Sequence, residues 1–139
     1  MKDFKVLFEL KIMSAHRSPG LVHDFARLTE KKGIKVVIAA AGGAAHLAGV
    51  IASLTRLPVI GVPMETSSLN GMDSLFSTVQ MPYGVPVATM AIGKSGARNA
   101  SIFALQILAL SDKKIAGELN AFKRRLEADV IAKNKKLKI

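Results

Sequence analysis

Four consecutive residues, Ser14–Arg17, bring a hydroxyl, an imidazole and a guanidinium together. A histidine exchanges protons near neutral pH, so His16 is a candidate general acid and base. Arg17 offers a two-pronged donor that suits phosphate or carboxylate. Ser18 and Pro19 are typical of a helix start, whose unpaired N–H groups attract anions. These residue types predict proton transfer on an anionic substrate, and a histidine that only completes a turn is the alternative.

A second candidate is the run of small residues Ala41–Ala45, which is followed by His46. Ligand atoms can approach the backbone of such a turn because few side-chain atoms stand in the way. The run does not match the glycine pattern of dinucleotide-binding proteins. Tight packing between a strand and a helix, with His46 as a structural histidine, is the alternative interpretation.

The elements that must position these residues alternate between apolar strands and helices. The strands are predicted at Lys5–Met13, Ile34–Ala40, Pro58–Val62 and Val85–Ile92. The helices are predicted from Pro19 to the stop at Gly33, then at Ala44–Leu54, Asn70–Gln80, Ala97–Leu110 and Ser111–Lys138. This alternation indicates an α/β fold with a parallel sheet and helices on both faces. Ligands bind such sheets at the carboxyl ends of the strands, where both candidate segments fall.

The length of 139 residues predicts a single domain, with an α/β core at 1–110 and a C-terminal helix at 111–139. Of the net charge of +10, nine charges lie in residues 1–35 and 111–139, and residues 36–110 carry only five charged side chains. This stretch has too little polar surface to cover itself in a monomer, so either the charged ends wrap it or it is buried between subunits. We expect a homo-oligomer.

The sequence lacks the residues that several classes of function require. There is no cysteine, the three histidines are scattered and the carboxylates do not cluster, so no metal site is predicted. Residues 1–10 lack a secretory pattern and no apolar run reaches the ~18 residues of a membrane helix, which predicts a cytoplasmic protein without a membrane partner. The basic ends come without a nucleic-acid-binding motif, so no nucleic acid partner is expected. A basic binding module using Lys113–Lys138 is the alternative.

Six segments together are more specific than either candidate segment alone, because they follow one another in a defined order and at defined spacings. They are Ser14–Pro19, Ala41–Leu47, Leu57–Pro63, Leu69–Leu75, Gln80–Pro82 and Ala91–Lys94. In these segments the chain resembles the N5-carboxyaminoimidazole ribonucleotide mutase family, in its bacterial branch. The resemblance extends from about Phe4 to Leu110.

This resemblance implies a flavodoxin-like three-layer sandwich that assembles as an octamer. It implies a role in de novo purine biosynthesis, on a ribonucleotide that carries a 5′-phosphate. The carboxylate would move from the exocyclic N5 to ring carbon C4, with no metal or organic cofactor.

The resemblance also assigns roles to individual residues. His16 matches the catalytic histidine, Arg17 a position that pairs with phosphate, and Met81 and Pro82 a segment that a neighbouring subunit folds over the site. The full set of expected substrate-binding residues is Ser14, Ala15, Arg17, Ala41, Gly42, Gly43, Ala44, His46, Leu47, Met81 and Pro82.

The chain departs from the family pattern at its start. Residues 1–4 resemble the end of the family's first helix, so the N-terminal strand, phosphate loop and most of that helix are expected to be missing. Loss of a central strand would leave two strands facing a gap. A catalytically impaired, oligomerising remnant or fragment of the enzyme is therefore the alternative interpretation.

Overall fold

A computed structural model describes residues 4–137, which hold three strands and five helices. The strands are β1 (Val37–Ala41), β2 (Val59–Pro63) and β3 (Ala88–Thr89). The helices are α1 (Pro19–Leu28), α2 (Leu47–Leu54), α3 (Met72–Val79), α4 (Gly93–Ala109) and α5 (Lys113–Lys135). The predicted α/β class with a parallel sheet is confirmed, and each predicted helix is present with one or both ends shifted.

The sheet is parallel and has the order β1-β2-β3, so β2 is its central strand. Val37 pairs with Val59, and the register continues to Ala41 opposite Pro63. Every residue of β2 is buried, as expected for a strand that is paired on both edges and covered by helices.

The strand β3 is shorter than the predicted Val85–Ile92. The Val85 N–H donates to the Pro82 carbonyl at 3.2 Å in a turn, and Pro86 has no N–H to donate. The ladder to β2 therefore begins only at Ala88, and the Met90 N–H extends it by donating to the Gly61 carbonyl at 2.9 Å.

The core beside β1 is built from small and β-branched side chains of four elements, α1, β1, α2 and β2. α1 contributes Val22 and Ala26, which lie on one face of the helix because they are four residues apart. The other members of this buried cluster are Val37, Ala39, Ala48, Ile51 and Val59. Small side chains let α2 lie close to the sheet, which brings the start of α2 to the carboxyl end of β1.

The strand predicted at Lys5–Met13 is wrong. Residues 6–14 are without regular secondary structure and add no rung to the sheet, in which β1 is an edge strand. Leu10 and Ile12 are 82% and 97% exposed. The apolar alternation of this segment favours an extended backbone, but a strand also needs a paired edge, and residues 6–14 do not pair with the free edge of β1.

An ion pair links the loops that follow α1 and α2, at the end of the sheet where the strands begin. Arg56 follows α2 and its Nη2 lies 2.6 Å from Oε2 of Glu30, which follows α1. Hydrogen bonds from Arg56 hold the pKa of the Glu30 carboxyl below its usual value. This end lies opposite to the candidate site.

The chain divides into two compact units, residues 8–104 and a second unit of the two chain ends. In the second unit, Asp112 caps the start of α5, and its carboxylate accepts from the N–H groups of Lys114 and Ile115. The rings of Phe4 and Phe122 meet edge to face with centroids 5.8 Å apart. The predicted long C-terminal helix is confirmed by α5. Between residues 4 and 137, no helix combines the length and apolar character needed to cross a bilayer.

Candidate functional site

The turn that carries His16 is fixed by two serines. The Ser14 N–H donates to Ser18 Oγ at 2.8 Å, and the Ser18 N–H donates back to the Ser14 carbonyl at 2.9 Å. The Arg17 N–H donates to Ser14 Oγ at 3.1 Å. The side chains of His16 and Arg17 are exposed immediately before α1.

The turn that carries His46 follows β1. The Met64 N–H donates to the Ala41 carbonyl at 2.8 Å, so the last rung of the sheet anchors the start of the turn. Gly43 has a φ of +67°, a conformation that favours glycine. His46 then stands at the N-cap position of α2.

The two turns bring the two histidines together, although they are 30 residues apart in the sequence. Nε2 of His16 lies 2.9 Å from Nδ1 of His46, and the rings are perpendicular with centroids 5.0 Å apart. Either ring can supply the proton of this hydrogen bond. With Nε2 engaged, Nδ1 of His16 is the nitrogen left to exchange a proton with a bound molecule.

The histidines lie in an open depression of about 340 Å³, which is the size of a small-molecule site. It brings together most of the residues predicted for the site, along with Met13 and Ala40, which were not predicted. The predicted residues that line it are Ser14, Ala15, His16, Arg17, Ala41, Gly42, Ala44, His46 and Leu47. Small residues form one wall, and polar side chains form the other.

Three predicted site residues lie outside this depression. The N–H of Gly43 points away from it and donates to Ser74 Oγ of α3 at 2.9 Å. Met81 lines a neighbouring depression, which His46 also lines, and its thioether lies close to Gly49. Pro82 follows Met81 and is exposed. Within a single chain, the Met81–Pro82 segment therefore does not cover His16.

Ser74 and Ser77 were missed by the sequence analysis. They lie three residues apart on one face of α3, and their hydroxyls bond to the turn between β1 and α2. The only signal in the sequence was that spacing, which is equally typical of an exposed polar face.

The depression is suited to an anion more than to a cation. Arg17 is the only permanently charged residue among the side chains that line it in the described part of the chain. Across residues 4–137, no three His, Cys, Asp or Glu side chains are grouped closely enough to hold a metal ion.

The chain is similar to a set of proteins that share one name. A family model described as AIR carboxylase matches residues 1–129. The N5-carboxyaminoimidazole ribonucleotide mutase of Saccharolobus solfataricus is 52% identical over 132 residues, which are 95% of this chain and 82% of that protein. Those of Thermotoga maritima and Bacillus subtilis are 50% and 48% identical over 137 residues, which are 99% of this chain and 79% and 85% of theirs.

A solved structure supports the same grouping. The crystal structure of Treponema denticola PurE superposes with a TM-score of 0.86 at 25% identity, over 99% of this chain and 85% of that one. The predicted flavodoxin-like α/β architecture is thereby confirmed. Identity of about one half along almost the whole sequence, a shared fold and a family model over residues 1–129 agree: the chain belongs to the AIR carboxylase family.

Proposed function

We propose that this chain interconverts N5-carboxyaminoimidazole ribonucleotide and 4-carboxy-5-aminoimidazole ribonucleotide, a step of purine biosynthesis. The observation that carries the proposal is the hydrogen-bonded pair of His16 and His46 beside a wall of small residues. Relatives about half identical to this chain carry the name of that mutase. We also propose that residues 1–139 form one mutase-like domain.

The reaction needs one proton delivered and one removed. In the forward direction, a proton added at N5 releases CO2 from the carbamate and leaves aminoimidazole ribonucleotide. The enamine-like C4 then attacks the CO2, and loss of the C4 proton restores the aromatic ring. One histidine can carry both protons, so we assign His16 as the general acid and base, acting through Nδ1.

The other residues of the depression would bind substrate and retain CO2. Arg17 would pair with the 5′-phosphate. The small residues Ala41, Gly42 and Ala44 leave room for CO2 against the backbone, while His46 and Leu47 would contact the base. A covered site would stop CO2 from escaping, and Met81 with Pro82 of a neighbouring copy would supply that cover.

We also propose that the chain works as a homo-oligomer, with the octamer as the expected form. One face of α3 exposes Met72, Phe76 and Val79, and these side chains belong to the charge-poor stretch 36–110. A second copy of the chain is the occupant that also accounts for a site left open in one chain. A cytoplasmic location stays a prediction of the sequence.

The function is tested by His16→Asn, which keeps a polar side chain but removes the acid and base. We expect turnover of the mutase reaction, followed by ultraviolet absorbance, to fall by a factor of about 100 or more. His23→Asn is the matched control, because His23 lies on α1 with its Nδ1 4.0 Å from Asp24 and lines neither depression, and it should keep full activity. Retained turnover in His16→Asn would contradict the assignment.

A further inference from the structure

The turn between β1 and α2 is held from outside by two hydroxyls of α3. The Gly43 N–H donates to Ser74 Oγ at 2.9 Å, and the Ala45 N–H donates to Ser77 Oγ at 3.1 Å. Ser74 Oγ in turn donates to the Met64 carbonyl at 2.7 Å. Ser74 thus joins this turn to the segment that follows β2.

Ser77 bonds to the same turn at a second point. Its hydroxyl lies 3.1 Å from the Gly43 carbonyl, and it also bonds to the Asp73 carbonyl of its own helix. Ser74 is fully buried, so water competes poorly for its bonds, whereas Ser77 is half-buried. Serines at positions i and i+3 share one face of α3, which is why both reach one turn.

The turn needs such support because its residues are too small to anchor themselves. Gly42, Gly43 and Ala44 bring almost no side-chain contacts, and Gly43 adopts a positive φ. Without external bonds, this backbone would sample several conformations. The hydroxyls of α3 remove that freedom.

The two sides of the turn have different partners. Gly42 and Ala44 line the depression that holds His16, whereas the N–H groups of Gly43 and Ala45 bond to α3. The His46 N–H donates to the Ala44 carbonyl at 2.8 Å, so the position of His46 follows that of the turn. A shift of this backbone would change both the wall and the 2.9 Å bond between the histidines.

We propose that Ser74 and Ser77 are positioning residues, which fix the wall of the site and hold His46 against His16 without touching the substrate. Their effect on catalysis rests on the proposed function, whereas their effect on the turn does not. The proposal assigns to α3 a part in the site that the residues of the depression alone do not reveal.

The test removes each hydroxyl and measures the turn and the reaction separately. In Ser77→Ala we expect hydrogen exchange at the Ala45 amide, followed by NMR, to be about ten times faster than in the parent. In Ser74→Ala the Gly43 amide should respond by a similar factor of about ten. The kcat should fall about tenfold in each, with KM changed by less than about threefold.

Two further variants separate positioning from a general loss of stability. Ser77→Thr keeps the hydroxyl and should restore both slow exchange and kcat. Ser53→Ala is the matched control, since Ser53 Oγ donates only to the Val50 carbonyl of its own helix at 2.8 Å and should leave both readouts unchanged. Should Ser74→Ala fail to fold, Ser77→Ala and Ser77→Thr decide the question.

Each outcome has a defined meaning. Unchanged exchange at Ala45 in Ser77→Ala overturns the proposal, as does fast exchange with an unchanged kcat. If the parent chain has no mutase activity, the proposed function fails, and the exchange rates alone then support or overturn the role of the serines in fixing the turn.

Discussion

The hydrogen bond between His16 and His46 limits which ring nitrogen of His16 can exchange a proton. Each histidine alone was a candidate from its sequence context, and neither context predicted the 2.9 Å bond between them. That bond occupies Nε2 of His16 and leaves Nδ1 for chemistry. It arises because two turns that are distant in the sequence end at the same edge of the molecule, which is a property of the fold.

The phosphate role of Arg17 predicts a specific response to Arg17→Lys. Lysine keeps the positive charge but loses the two-pronged donor, so KM should rise about tenfold while kcat stays within about twofold. Steady-state kinetics measure both values. Arg27→Lys, on α1, is the control and should change neither. A fall in kcat at unchanged KM would place Arg17 in the chemical step instead.

Among the elements, the sequence predicted those that have their own periodicity. The helices and the buried strands β1 and β2 were found because apolar spacing and turn residues determine them locally. The strand prediction for Lys5–Met13 was wrong because strand pairing depends on a partner edge, which no local sequence pattern encodes. β3 was shortened by Pro86, whose missing N–H was visible in the sequence. The contribution of Ser74 required knowledge of which turn α3 faces.

We expect a methyl group added at two helical glycines to change the free energy of unfolding in opposite directions. A Cβ on Gly96 of α4 would lie 1.6 Å from the Ala91 carbonyl oxygen, so Gly96→Ala must displace the backbone that leads into α4. We expect it to lower the free energy of unfolding by about 3 kcal/mol. Gly117 of α5 has open space, so Gly117→Ala should raise it by about 0.5–1 kcal/mol.

Urea denaturation of the three proteins under identical conditions measures these effects. Gly117→Ala serves as the control, because it adds the same atom to another helix. Equal or higher stability of Gly96→Ala relative to the parent would show that the Ala91 backbone does not lie where we describe it.

At the scale of the whole molecule, exposed apolar surface is the feature that one chain leaves unexplained. Phe76 is 56% exposed on α3, and Met72 and Val79 lie on the same face. Helical residues spaced by three and four form one stripe, so a single partner surface can cover all three. The sequence predicted the need for cover from the scarcity of charge in 36–110, but not which helix face would be involved.

An assembly formed through this face predicts that Phe76→Asp reduces its size. A carboxylate buried between subunits is costly, so light scattering after size exclusion should give a smaller mass than for the parent at equal concentration. Asn134→Asp adds the same charge near the end of α5 and should leave the mass unchanged. A monomeric parent would contradict the oligomer proposal, and an unchanged assembly in Phe76→Asp would contradict the assignment of this face to the interface.

The most direct test of the central claim follows the carboxylate itself. N5-carboxyaminoimidazole ribonucleotide labelled with ¹³C at the carbamate carbon is mixed with the purified chain, and NMR records where the label goes. We predict that the label appears on C4 faster than without protein, that His23→Asn behaves like the parent, and that His16→Asn does not. A folded chain that forms no C4-labelled product above the uncatalysed background would contradict the proposed function.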